Sequence, residues 1–325
     1  MTYELKMLLG GEWRLVPEPS KFFNGTVWHY TDANALLNIL RTRCLWASSA
    51  AMLNDSREIA FGIDELKRVS GLYFDKYLAR GLDPHLVEIM RLAIDNASSR
   101  MSSNDVYILC ASKNPDELSQ WRGYGGRAGY AIGIDVKNGF DDPLKILTDG
   151  AEPIYSLVNN IQPRWMSVAY SPFEQGRLLV HLMRFLREFF ESKPLPSGAP
   201  DEIDLLHAVG VITTVLAYIK NPGFQAEQEV RAAFTFDPAR LDVVKLRTNP
   251  IGLCPYVKVA VAEQSAKKSG PNSLTATEAT GLPISKIIVG PGREQDFAER
   301  GVRRALEVYG YSNVQVEKSV IPFRA

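Results

Sequence analysis

Apolar runs of strand length, at residues 27–30, 45–47, 106–110, 130–135, 229–236, 256–261, 284–289 and 314–317, are scattered along this chain in irregular order with its helical tracts. Strands that alternate one-for-one with helices build parallel sheets, and this order does not. It predicts an α+β fold: a central mixed or antiparallel sheet of short strands carrying helical insertions.

The insertions are placed by apolar spacing. Ile59, Ile63, Leu66 and Val69 recur at helical intervals, and residues 84–100 continue in the same manner. Leu178, Leu182, Phe185 and Phe189 form one stripe of a helix over 174–192. The tract 201–219 is apolar almost all round, the pattern of a buried helix, and Asn221-Pro222-Gly223 ends it. The expected division is an N-terminal extension at 1–26, broken by Pro17 and Pro19, followed by one α+β domain over 27–325 with helical insertions at about 58–100 and 174–219. Residues 53–55 read as a turn, 193–200 as a loop and 263–281 as an exposed or flexible loop. Gly129 and Gly133 in the run at 130–135 predict close backbone approach.

Composition excludes several classes. Lys plus Arg and Asp plus Glu are both 37 in 325 residues, so the net charge of zero gives no overall pull toward nucleic acid or an anionic membrane. Cys44, Cys110 and Cys254 form no C-x-x-C pair, which argues against a disulfide framework and a cysteine-rich zinc site. The start carries no signal-peptide pattern, and the stretch 208–219 is too short to span a bilayer, so the cytoplasm is the expected location. His85, His181 and His207 fall in predicted helices far apart, without metal-ligand spacing, and no metal is expected. The P-loop, zinc-protease, nucleophile-elbow and dinucleotide-fold motifs are all missing from the chain.

Three polar clusters remain. The first is His29-Tyr30-Thr31, at the end of a strand before a helix whose N-cap is Thr31 or Asp32. Such a junction offers free N–H groups to an anionic ligand, or simply a capped helix beside a satisfied histidine. The second is residues 119–126, where Trp121 and Tyr124 offer stacking faces and Arg122 a phosphate grip. Its plain alternative is an ordinary loop with Trp121 as a hydrophobic anchor. In the third, Glu227, Glu229 and Arg231 share one face of an extended strand, either as a site or as a solvated edge.

In this order, the segments WHYTDANALLNILRTRCLWASSAAMLNDSRE, YILCASKNPDELSQWRGYGGRAGYAIGID, FQAEQEVRAAF and ISKIIVGPG resemble the bacterial domain of unknown function numbered 2971. The first segment is also similar to the opening of ADP-ribosyltransferases that carry His-x-Thr, the diphtheria-toxin and poly-ADP-ribose groups included. That resemblance implies an ADP-ribosyltransferase-like fold and NAD as a substrate. It gives His29, with Tyr30 and Thr31, to the adenosine ribose, Glu229 to the catalytic position, and Glu227 to the residue before it in an E-x-E pattern. Trp121, Arg122 and Tyr124 are candidate cofactor contacts by residue type: Tyr124 to stack on nicotinamide, Arg122 to hold the pyrophosphate. The resemblance further implies a toxin or phage-defence effector acting on a nucleic-acid or protein acceptor. Two other readings stand beside it: a non-catalytic nucleotide- or nucleic-acid-binding module, and an interaction protein using 174–219 as a contact surface.

Overall fold

The computed structural model describes residues 3–7, 13–17, 23–52, 56–102, 106–125, 129–136, 144–148, 163–193, 200–236, 239–249, 252–261 and 282–322. The expectations for 53–55, for 194–199 and for 263–281 lie outside these residues. Strands β1 (Tyr3–Met7) and β2 (Trp13–Pro17) pair antiparallel in a small sheet of their own. The prolines predict no regular element here. Pro17 instead closes β2 at a sheet edge, where a missing N–H is tolerated.

All other strands join one sheet of eleven. They are β3 (Gly25–Asp32), β4 (Leu45–Ser49), β5 (Val106–Ser112), β6 (Gly129–Val136), β7 (Leu144–Ile146), β8 (Met166–Ser167), β9 (Glu229–Thr235), β10 (Lys245–Asn249), β11 (Gly252–Val261), β12 (Ile284–Val289) and β13 (Gln315–Lys318). The main path runs β10-β11-β4-β5-β3-β6-β12-β13, with β7 on β11 and β9 between β5 and β8. Every strand pairing is antiparallel except β12 with β13, so the sheet is mixed. The short strands β7, β8 and β10 were not legible as separate apolar runs.

The sheet forks at β5. One edge of β5 pairs with β9 along its whole length, from Val106↔Thr235 to Ser112↔Glu229. The other edge divides: Tyr107 and Ile108 pair with Ser49 and Ser48 of β4, and Ser112 pairs with Trp28 of β3. Cys110 lies at the fork between them.

The helices are α1 (Ala33–Thr42), α2 (Ser56–Leu78), α3 (Pro84–Ser102), a one-turn α4 (Leu118–Gln120), α5 (Pro172–Glu191), α6 (Glu202–Leu216) and α7 (Gln295–Tyr309). Alternation along β5 separates two cores. Val106 and Ile108 join the apolar faces of α2, α3, α5 and α6, and Tyr107, Leu109 and Ala111 join α1 and α7. The predicted insertions thus form one helical layer on one face of the sheet. Ser171 starts α5 through a capping box with Glu174. Arg43 ends α1 in the left-handed region at φ 56, and its guanidinium reaches the Tyr309 carbonyl at 3.2 Å, tying α1 to α7.

The two glycines behave as expected. A Cβ on Gly133 would lie 2.9 Å from the Trp28 ring, and one on Gly129 would lie 2.5 Å from the Gly125 backbone. Among the described residues no helix is long and apolar enough to cross a membrane.

Candidate functional site

Asp32, not Thr31, caps α1: its carboxylate accepts from the Ala35 N–H at 2.8 Å. This leaves β3 straight through Thr31, and side chains along it alternate between faces. Tyr30 is buried, its hydroxyl donating to the Asn114 carbonyl at 2.8 Å and accepting from the Glu117 N–H at 3.0 Å. Its ring meets Trp121 edge-on at 4.6 Å. Thr31 is buried opposite Tyr130. Tyr30 therefore supports the 114–125 loop.

His29 takes the fork. Its Nδ1 lies 2.9 Å from the Cys110 carbonyl oxygen, on the stretch of β5 that neither β3 nor β4 covers. A carbonyl only accepts, so Nδ1 carries the proton and Nε2 keeps a lone pair. Burial holds the imidazole below its ordinary pKa, against the pull of the Cys110 bond, and the charge of Arg247 adds to the depression. The ring is thus neutral at pH 7 and offers an acceptor. Part of it remains open to solvent.

Across β5, Cys110 sits opposite Arg231 of β9. Glu229 and Arg231 share one face of β9, as their spacing predicts, and both are buried. The Arg231 guanidinium donates to Glu229 Oε2 at 2.7 Å and to the Ala217 carbonyl at 2.9 Å. Lys220, also buried, donates to the same Oε2 at 3.0 Å and to Glu227 Oε2 at 2.7 Å. Glu227 departs from expectation: it lies in a 3-10 turn over Pro222–Glu227, and Gln228 at φ 43 separates it from the strand. Lys220, rather than strand alternation, brings Glu227 to Glu229. The expectation of a solvated edge fails because two cations and two carboxylates neutralise each other out of water.

Burial alone would raise the pKa of Glu229. The charges of Arg231 and Lys220 outweigh it, helped by hydrogen bonds from the Cys110 thiol and Arg231, and hold the carboxyl well below the usual carboxylate range. The Glu229 N–H is also used, donating to the Tyr170 hydroxyl at 2.9 Å. His29 and Glu229 accordingly both reach Cys110, His29 at its backbone carbonyl and Glu229 at its thiol, while the pairs Trp28↔Ser112 and Ser112↔Glu229 set the two side chains on opposite faces of the sheet.

The 119–126 segment is helical as far as residue 125: α4 continues into a single π turn over Trp121–Gly125. Trp121 is buried, and its Nε1–H donates to Asp116 at 2.7 Å. Asp116 also accepts from the Ser319 hydroxyl at 2.6 Å and the Val320 N–H at 2.9 Å, stapling the loop to the C-terminal segment. Arg122 is exposed. Tyr124 is 40% exposed. Its surroundings raise the hydroxyl pKa, first by desolvation and then through the nearby carboxylates Glu229 and Glu227. The turn therefore places Tyr124 beside the Glu229 cluster and directs Trp121 into the protein.

Sequence reasoning did not single out Lys220, Cys110, Tyr170 or Asp116. Lys220 had a signal: a lysine directly after the apolar tract 208–219 must find a counter-charge if that tract is buried. Cys110 had none, since its role comes from a backbone carbonyl at a fork. Among the described residues no group of histidines, cysteines and carboxylates could hold a metal ion. Comparison with protein-family models, curated proteins and solved structures gives no match.

Proposed function

We propose that the chain is an NAD-dependent ADP-ribosyltransferase-like protein of the domain-2971 type, with its cleft at the fork beside β5. The observation that supports this reading is that His29 and Glu229, from strands about two hundred residues apart in sequence, both bond Cys110, one at its carbonyl and the other at its thiol. His29 presents a neutral Nε2 acceptor, suited to a ribose hydroxyl. Glu229 presents a carboxylate that stays ionised at neutral pH, suited to cation-like charge on a ribose carbon. In the proposed step the bond from ribose C1′ to the nicotinamide nitrogen breaks and nicotinamide leaves neutral. An acceptor nucleophile then bonds to C1′ and gives up its proton. Tyr124, part-exposed and near enough to Glu229 to feel its charge, offers a stacking face there. The acceptor, nucleic acid or protein, and an effector role in toxicity or phage defence follow from resemblance only.

A second reading is favoured by one observation. Glu229 Oε2 is already shared by Lys220 and Arg231, which weakens the field the carboxylate presents to a substrate. A module that binds the nucleotide without cleaving it fits that geometry. Incubation of the full chain with NAD labelled in nicotinamide, with nucleic-acid and protein acceptors, separates the two. Released nicotinamide supports the transferase, NAD that is bound but intact supports the module, and an absence of binding contradicts both.

A further inference from the structure

The strands on the far side of the fork carry a polar face that the site described above does not use. Register places Arg247 opposite Cys254, Ser48 opposite Tyr256, and Trp46 opposite Lys258, so these side chains share one face of β10, β11 and β4. Trp46 and Tyr256 stack at 4.6 Å with an interplanar angle of 31°. The Arg247 guanidinium donates to the Ser48 hydroxyl at 2.9 Å. One further donor on this face, Arg247 Nε, is buried and has no acceptor among the described residues, while the Trp46 indole N–H is directed at the Cys44 sulfur. Arg247 and Lys258 form no ion pair among the described residues.

A buried donor without an acceptor is uncommon in folded proteins, and Arg247, half-buried, carries one at Nε. An unmatched, part-exposed guanidinium beside the Ser48 hydroxyl marks a place prepared for an acceptor-rich anion. The face is also close to the fork. Ser48 pairs with Ile108, two residues before Cys110 on the same edge of β5, a step of about 7 Å along a strand. The charge of Arg247 is felt at His29. We propose that Arg247, positioned by Ser48 on the face it shares with Trp46, is the diphosphate-binding residue of the cleft. It would grip the phosphate oxygens with its planar fork while His29 meets the adjoining ribose. This rests on the nucleotide reading of the cleft, and it gives to Arg247 the task that residue type alone gives to Arg122, which is exposed.

The test uses the full chain, with inorganic pyrophosphate, ADP and NAD as probes in calorimetric titration and thermal unfolding. The variants are Arg247→Gln, Arg247→Lys and Ser48→Ala. Pyrophosphate and ADP should bind the wild type. Arg247→Gln should weaken both at least tenfold, Arg247→Lys should restore part of the loss, and Ser48→Ala should lose less than Arg247→Gln. Without ligand, Arg247→Gln should unfold at the wild-type temperature or above it, because it removes a buried donor that has no acceptor among the described residues. A merely structural arginine would instead lower that temperature. Undiminished ADP binding by Arg247→Gln, a wild type that binds neither pyrophosphate nor ADP, or a lowered Tm in Arg247→Gln would overturn the assignment. ADP bound through Arg247 with NAD left uncleaved keeps it and defeats the transferase reading. NAD cleaved by Arg247→Gln with wild-type KM does the reverse.

Discussion

The Nδ1 of His29 lies 2.9 Å from the carbonyl oxygen of Cys110, at the point where β3 and β4 part along one edge of β5. A strand edge left open at a fork exposes a carbonyl that must find a donor. His29 supplies it, and in doing so fixes its own tautomer. The other edge of the same strand carries the register that sets Arg231 beside Cys110 and Glu229 two residues further along β9. One strand thus contacts both residues, His29 through its Cys110 carbonyl and Glu229 through its Cys110 thiol.

His29 should resist protonation. Its folded pKa is depressed by burial below the ordinary 6.5, so the folded state binds fewer protons than the unfolded chain just below that value. The stability it contributes is complete above pH 6.5 and is lost as pH falls through the folded pKa. Nitrogen NMR of the imidazole should show a protonated Nδ1 and an unprotonated Nε2 at pH 7, with no titration near 6.5. A midpoint at or above that value would contradict the assignment.

Glu229 contributes in the same direction in a more acidic range. Its folded pKa lies below the ordinary 4.5, so its contribution is complete above that pH and disappears as pH falls through the folded value. Glu229→Gln should flatten this part of the acid-unfolding curve. It should also destabilise the protein, by about 3–5 kcal/mol if it behaves like other broken buried ion pairs, since Lys220 and Arg231 stay buried. Lys220→Met should likewise destabilise, leaving two carboxylates facing each other. Denaturant unfolding at pH 7 and pH 4 measures both.

Gly133 is a packing constraint. A Cβ there would meet the Trp28 ring at 2.9 Å, on the strand pair that carries His29. Gly133→Ala should cost about 1–3 kcal/mol, the range for overpacked cores, and should broaden the His29 resonance as β3 shifts. An unchanged Tm would show that Trp28 can move aside freely.

The Asp116 staple should govern Tyr124 without touching it. Asp116 holds Trp121, Ser319 and Val320 together, and Trp121 anchors the π turn that presents Tyr124. Asp116→Ala should cost about 1–3 kcal/mol through the donors it leaves unpaired. It should also raise the fluorescence mobility of Trp121. The account predicts weaker nucleotide binding in this variant, measured by titration, with the His29 tautomer unchanged.

Much of the architecture was legible because local pattern and tertiary burial agree. The stripe Leu178, Leu182, Phe185 and Phe189 is buried on α5, and the apolar tract 201–219 is buried from Ala208 onward, whereas Ile203 and Leu206 in the first turns of α6 are exposed. The face shared by Glu229 and Arg231 followed from strand alternation alone. What was not legible depends on meetings across the sheet. Glu227 read as part of the strand because a left-handed Gln228 leaves no trace in residue type. The fork at Cys110 arises from two strands competing for one edge, and the short strands β7 and β8 exist only through their partners β11 and β9. Trp121 and Tyr124 are three residues apart with similar chemistry, yet the π turn sends one inward and leaves the other at the site.

The central claim is that His29 and Glu229 serve one ligand. Titration of NAD into wild type, His29→Ala and Glu229→Gln, with nicotinamide release followed in the same samples, tests it most directly. The account predicts binding and release by wild type, binding without release by Glu229→Gln, and binding weakened at least tenfold in His29→Ala. Equal NAD binding and equal release by all three proteins, or no binding by wild type, would contradict it.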